Sequence, residues 1–77
     1  MKNFPRITMN PAVMQGKACI RGLRVTVGMI VGQMGAGVTI DEMLANYPYL
    51  EREDILEALL YASALASEQQ VSLAKAS

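Results

Sequence analysis

Any chemistry performed by this chain must come from seven carboxylates, seven cations and one thiol, because its 77 residues include no histidine. Without an imidazole, neither a serine nor the lone cysteine has the neighbouring base that commonly turns a hydroxyl or thiol into a nucleophile. Cys19 therefore reads as a small apolar core side chain, and one thiol without imidazoles gives zinc too few N and S ligands. The carboxylates include two adjacent pairs, Asp41–Glu42 and Glu53–Asp54, which in principle could serve as acid and base. Each pair, however, falls at the start of an expected helix, where capping and the helix dipole already account for it. The residues thus assign no catalytic group, no metal site and no cofactor.

The run "GKACIRGLRVTVGMIVGQMGAG", Gly16 to Gly37, holds all six glycines and three cations, and it raises the question of phosphate binding. A phosphate loop needs G-x-x-x-x-G-K-[ST], because backbone amides wrap the phosphates and the final hydroxyl reaches magnesium. Here Ala18 follows Gly16-Lys17, and Pro11 stands where the first glycine belongs. The later glycines, Gly32, Gly35 and Gly37, also miss the G-x-G-x-x-G spacing of dinucleotide sites. Nucleotide binding is set aside on both grounds.

Charge points instead to a macromolecular partner. The first 24 residues carry Lys2, Arg6, Lys17, Arg21 and Arg24 with no acid, a surplus of five; from Val25 onward two cations face seven acids, a deficit of five. Such asymmetry suits an anionic partner for the basic part, head-to-tail association, or mutual neutralisation when the chain folds. The turn opening the third expected helix reads Glu51-Arg52-Glu53-Asp54, and its acids would repel a phosphate backbone. Arg6, Lys17, Arg21 and Arg24, with Arg52 on that helix, are therefore the candidate partner or nucleic-acid contacts.

These side chains need elements to hold them. Arg6–Met9 alternates and is β-branched, and a second extended piece is expected around Ala18–Arg21 after the Asn10-Pro11 turn. Pieces so short must pair with each other or with a partner chain. Thr26 caps a first helix in which Val27, Ile30, Val31 and Met34 recur at i, i+3, i+4 and i+7. Gly28 and Gly32 inside that helix suggest close approach by a neighbour, and Gly35 or Gly37 ends it. Thr39-Ile40-Asp41-Glu42 is a capping box for a short second helix, closed by Pro48. A third begins near Glu51 or Arg52, with Ile55, Leu56, Leu59, Leu60 and Leu65 as its apolar stripe. Ala58, Ala62 and Ala66 form a second stripe of small residues and are the candidate oligomer interface.

The fold expected is mainly α: a three-helix, helix-turn-helix-like (winged-helix or homeodomain-like) domain with a short N-terminal β element. One domain covers 1–77, with the β element at about 6–22, the trihelical part at about 26–67 and a fraying tail at about 68–77. So short a chain, 52% apolar and without a disulfide pair, leans on association for stability, which favours a homodimer or higher oligomer. No apolar stretch matches a secretory core of about 7–15 residues at the N-terminus or reaches the roughly 18 residues of a membrane span. A cytoplasmic protein with no membrane partner is expected.

Three motifs carry a resemblance. They are Asn10-Pro11 through Gly16-Lys17, Cys19-Ile20-Arg21-Gly22 with Arg24-Val25, and Tyr47-Pro48 followed by Glu53-Asp54-Ile55. From Arg6 to about Ala62 the chain resembles the small bacterial family known as domain of unknown function 433. Many of its members resemble antitoxins of type II toxin–antitoxin pairs, encoded beside a nuclease-like toxin of the PIN-like class. The resemblance implies a non-enzymatic protein that binds and silences such a toxin, and leaves binding of its own operator DNA open. The sequence departs from the family pattern at Ala18, where proline is common, at Leu23 to Thr26, and at Glu51 in place of a capping serine or threonine. Two other readings stand beside the antitoxin: a stand-alone homodimeric DNA-binding regulator, and a structural homodimer. In the first reading, Arg21 and Arg24 are the residues expected to face the acidic metal site of a toxin.

Overall fold

Two threonines set where the first two helices begin. In the computed structural model, which describes residues 4–68, the Thr26 hydroxyl accepts the Met29 amide at 3.0 Å and α1 runs Val27–Gly35. Gly37, at φ 98°, closes it: its own amide reaches the Met34 carbonyl and the Val38 amide reaches that of Gln33, both at 3.0 Å. This crossed pair requires a left-handed residue, which glycine adopts without steric cost. Thr39 then opens α2 (Ile40–Asn46) with both arms of the capping box present, the Glu42 amide on the Thr39 hydroxyl and the Thr39 amide on the Glu42 carboxylate. After the Tyr47–Leu50 connector, α3 runs Arg52–Glu68.

Ahead of the helices, β1 (Ile7–Thr8) pairs antiparallel with β2 (Cys19–Ile20), Ile7 opposite Ile20 and Thr8 opposite Cys19. The strands pair with each other, and each is shorter than the alternation suggested. So small a sheet is held by what covers it, since Ile7, Cys19 and Ile20 are all buried. Arg21 (φ 44°) and Gly22 (φ 73°) then turn the chain, with the Leu23 amide on the Ile20 carbonyl at 2.7 Å. Two left-handed central residues make a hairpin turn that usually takes Asn-Gly, so an arginine at the first is strained. A bridge from Cys19 to Thr26 joins this hairpin to the start of α1.

The core lies where α1 crosses α3, with α2 closing one side and the β pair another; Ile20, Ile30, Met43 and Ile55 are its fully buried large side chains. The mainly α outline with a short N-terminal β element is as expected. Among the described residues, no helix is long and apolar enough to cross a membrane. The tail beyond Glu68 lies outside the described residues.

α3 is rotated from its expected orientation. Ile55 is buried and Leu59 partly so, but Leu56, Leu60 and Leu65 are 45%, 64% and 43% exposed. The inward face is instead Asp54, Ile55, Ala58 and Tyr61. Ala58 is small enough for α1 to lie close, and the Tyr61 ring fills the adjoining space edge-on to Phe4, with centroids 5.4 Å apart. Of the Ala58–Ala62–Ala66 stripe, Ala58 is core and so cannot belong to an oligomer face, Ala62 is half-buried and Ala66 is exposed.

The glycines of α1 also have a different role from the one expected. A Cβ at Gly32 would meet nothing within 4 Å, and one at Gly28 only the Thr26 hydroxyl at an ordinary 3.8 Å. No neighbour among the described residues requires either. Gly32→Ala is thus expected to stabilise the chain by about 0.5–1 kcal/mol through helix propensity alone. Thermal denaturation should show a midpoint higher by a few degrees; an unchanged or lower midpoint would show that something does crowd Gly32.

Candidate functional site

Asp54, in the first turn of α3, is the polar centre of the molecule, and its side chain has no exposed surface. Its Oδ1 accepts from Arg6 Nη1 at 2.8 Å and Arg21 Nε at 3.0 Å; its Oδ2 accepts from Arg21 Nη2 at 2.9 Å and from the Glu51 amide at 2.8 Å. Arg6 Nη1 also pairs with Glu51 at 2.7 Å, the Arg6 amide donates to the Glu57 carboxylate, and Arg21 Nη2 donates to the Tyr49 carbonyl at 2.9 Å. Burial pushes the Asp54 carboxyl upward, but hydrogen bonds from Arg21, the Glu51 amide and Arg6 outweigh it and hold the group below the usual carboxylate range. By accepting the Glu51 amide, Asp54 supplies the half of a capping box that runs from the third helical residue back to the cap position.

The network reassigns two of the proposed contact residues. Arg6, just before β1, and Arg21, just after β2, fasten the β element to the start of α3, so their guanidiniums hold the fold together. Arg52 is likewise paired, with Asp41 at 2.7 Å across the first turns of α3 and α2, although both side chains are exposed. Of the five proposed cations, Lys17 and Arg24 alone have no acidic partner among the described residues. Both are exposed, and together with Pro11, Ala12, Met14 and Gln15 they line a concavity of about 450 Å³. Asn10 opens this loop by accepting the Ala12 amide at 2.9 Å, and Met14, Gln15 and Gly16 then run left-handed in succession.

Lys17 also borders a second and larger opening. An apolar groove of about 780 Å³ lies between the start of α1 and the second half of α3, lined among others by Met9, Met29, Val31, Ala62 and Leu65. Its origin is visible in α3, whose inward stripe of Ala58, Tyr61 and Ala62 continues to Leu65 with nothing over it among the described residues. Val31, expected in the core, is instead exposed at the groove. Sequence reasoning missed Met9, Met29 and Leu65 as a surface. One signal was available, since Met29 falls outside the 27, 30, 31, 34 periodicity and so had no core position to occupy.

The carboxylates first weighed as acids and bases all lie at helix starts. Asp41 pairs with Arg52, Glu42 completes the α2 box, Asp54 anchors the network and Glu53 is exposed in the first turn of α3. Cys19 is buried, with its thiol on the Lys17 carbonyl. Among the described residues no group of three or more His, Cys, Asp or Glu side chains is placed to hold a metal. What the surface offers is an apolar groove and two cations, an arrangement suited to binding.

A family model described as "Protein of unknown function (DUF433)" matches residues 7–62, from β1 through the buried half of α3. The chain belongs to the DUF433 family. A crystal structure of a DUF433 member from Anabaena variabilis ATCC 29413 is similar to it with a TM-score of 0.76 and 35% identity, over 82% of this chain and 62% of that one. The uncharacterized protein y4eO of Sinorhizobium fredii is 34% identical over 58 residues, 75% of this chain. The DUF433 chain spans only 26% of that relative's length, so the same unit is similar to part of a much longer protein.

Proposed function

We propose that this DUF433 protein is a non-enzymatic, antitoxin-type binding protein that captures and silences a PIN-like nuclease encoded beside it. The observation that carries the reading is how the chain distributes its polar groups. Arg6, Arg21 and Arg52 are taken up by Asp54, Glu51 and Asp41, while apolar side chains stay exposed on α1 and α3. Exposed apolar surface bordered by charge is a common mark of a protein-binding face. PIN-like nucleases gather carboxylates around metal, and an inhibitor would present cations to that acidic site. With Arg21 engaged by Asp54, that role passes to Arg24 and Lys17.

A DNA-reading role for α3 is disfavoured by its own first turn, where Glu51 and Glu53 are exposed and Arg52 is paired. Co-expression with the adjacent reading frame tests the proposal. The expected result is a stable complex on purification and full growth protection from the neighbour's toxicity. A chain that neither copurifies nor protects, but shifts its upstream DNA with steep salt dependence, would instead be a DNA-binding regulator.

A further inference from the structure

The groove and the free cations meet at Lys17, which lines both the apolar opening and the Lys17–Arg24 concavity. From this junction we infer that the groove receives an amphipathic segment of a partner protein, apolar along the groove and carrying carboxylates at the Lys17–Arg24 end. The inference rests on reading the chain as a protein-binding module, but not on the partner being a toxin.

Charge complementarity fixes the polarity of the occupant. Among the described residues every other arginine is paired with an acid, so Lys17 and Arg24 are the two cations still lacking one. A segment with carboxylates at that end satisfies both, whereas a basic segment would leave them facing like charge. Methionines at Met9 and Met29 give the wall a flexible lining that adapts to the side chains it meets.

The shape of α1 adds an independent argument. Gly28, Gly32 and Gly35 fall at i, i+4 and i+7 on an exposed face, and Gly28 lines the groove. Glycine within a helix lowers stability, and a Cβ would be tolerated at Gly28 and Gly32, with nothing within 4 Å of it at Gly35. A face kept smooth without need among the described residues lets an outside backbone approach closely. Laying an amphipathic helix into an apolar groove is a recurrent mode of protein recognition.

The test uses the whole 77-residue chain, isotope-labelled for NMR, and a synthetic amphipathic peptide of about 18 residues, or five helical turns. The peptide carries leucines on one face and glutamates at one end; a control replaces the glutamates with lysines. Saturable binding is expected, with shifts concentrated at Met9, Met29, Val31 and Leu65, and at least about tenfold weaker binding of the control. Lys17→Glu with Arg24→Glu should reverse that preference. Gly28→Leu should leave the melting temperature unchanged or higher and abolish binding by filling the groove.

The inference is overturned by no saturable binding, by equal affinity for the control, or by shifts confined to the Leu56–Leu60 side of α3. It is also overturned if the groove signals move with protein concentration alone, which would make a second copy the occupant, or if duplex DNA displaces the peptide at Lys17 and Arg24. Peptide binding with no capture of the neighbour-encoded protein would remove the antitoxin reading alone. Capture that Gly28→Leu leaves intact would remove the groove alone.

Discussion

Asp54→Ala is expected to lower the unfolding free energy by about 3 kcal/mol, the lower end of the range for breaking a buried ion pair. The lower end applies because Arg6 and Arg21 keep 30% and 37% of their side-chain surface in water and can recover part of their hydration. The substitution also frees the Glu51 amide and leaves a void beside Ile55 at the start of α3. For a small domain with only about 5–15 kcal/mol in hand, urea denaturation followed by circular dichroism should show a midpoint far below that of the parent. The acid limb gives a second, independent reading. Because the folded carboxyl is held below its ordinary value, its stabilisation is complete above about pH 4 and is lost as pH falls through the lower folded value. Asp54→Asn should remove that acid-dependent component while nearly keeping the shape. Equal urea midpoints for Asp54→Ala and parent, or equal acid slopes for Asp54→Asn and parent, would show that the network does not hold the fold.

The second large effect is at Arg21, where one substitution brings three penalties together. Arg21→Glu places a carboxylate against buried Asp54, gives up the bond to the Tyr49 carbonyl, and keeps a side-chain-bearing residue at φ 44° with no ion pair to hold it. The expected outcome is a chain without a dispersed NMR spectrum at neutral pH. Arg24→Glu, three residues along, should be folded with a melting temperature close to the parent's, since Arg24 makes no ion pair among the described residues. A double-mutant cycle of Arg21→Gln with Asp54→Asn should show strong coupling, the pair costing clearly less than the sum of the singles. A folded Arg21→Glu protein would return this arginine to the set available for partners. A combined charge reversal at Arg21 and Arg24 would confuse unfolding with lost binding, so the two positions have to be examined separately.

What could be read from the sequence was local, and what could not was tertiary. Thr26, the Thr39–Glu42 box and Gly37 fix helix ends through bonds to residues a few positions away, and each was readable because capping is a short-range rule. That the two short segments must pair followed from their length, but whether with each other or with a partner chain did not. The fate of the cations did not, because Arg6 and Arg21 meet Asp54 across 48 and 33 positions. A run of like charge in sequence gives no sign of where its counter-charge lies once the chain folds. The face of α3 was misread for a related reason. Four leucines outweigh an aspartate, an alanine and a tyrosine on hydropathy, yet close packing by α1 favoured small Ala58 and the Phe4–Tyr61 edge contact. The groove was invisible because exposure of Met9, Met29 and Leu65 depends on what fails to cover them.

The Asp54 network also bears on the order in which the fold can assemble. A ribosome makes the β element before α3, and the carboxylate that neutralises Arg6 and fastens Arg21 follows 48 and 33 residues later. Until then the strained Arg21 turn has no ion pair to hold it, and two strands of two residues each cannot persist alone. The ends of α1 and α2 are fixed by caps within a few residues, whereas the β element waits for α3. Ring closure over so long a loop adds its entropy cost late. The β element therefore becomes native only once α3 is in place, although it precedes α3 in the chain.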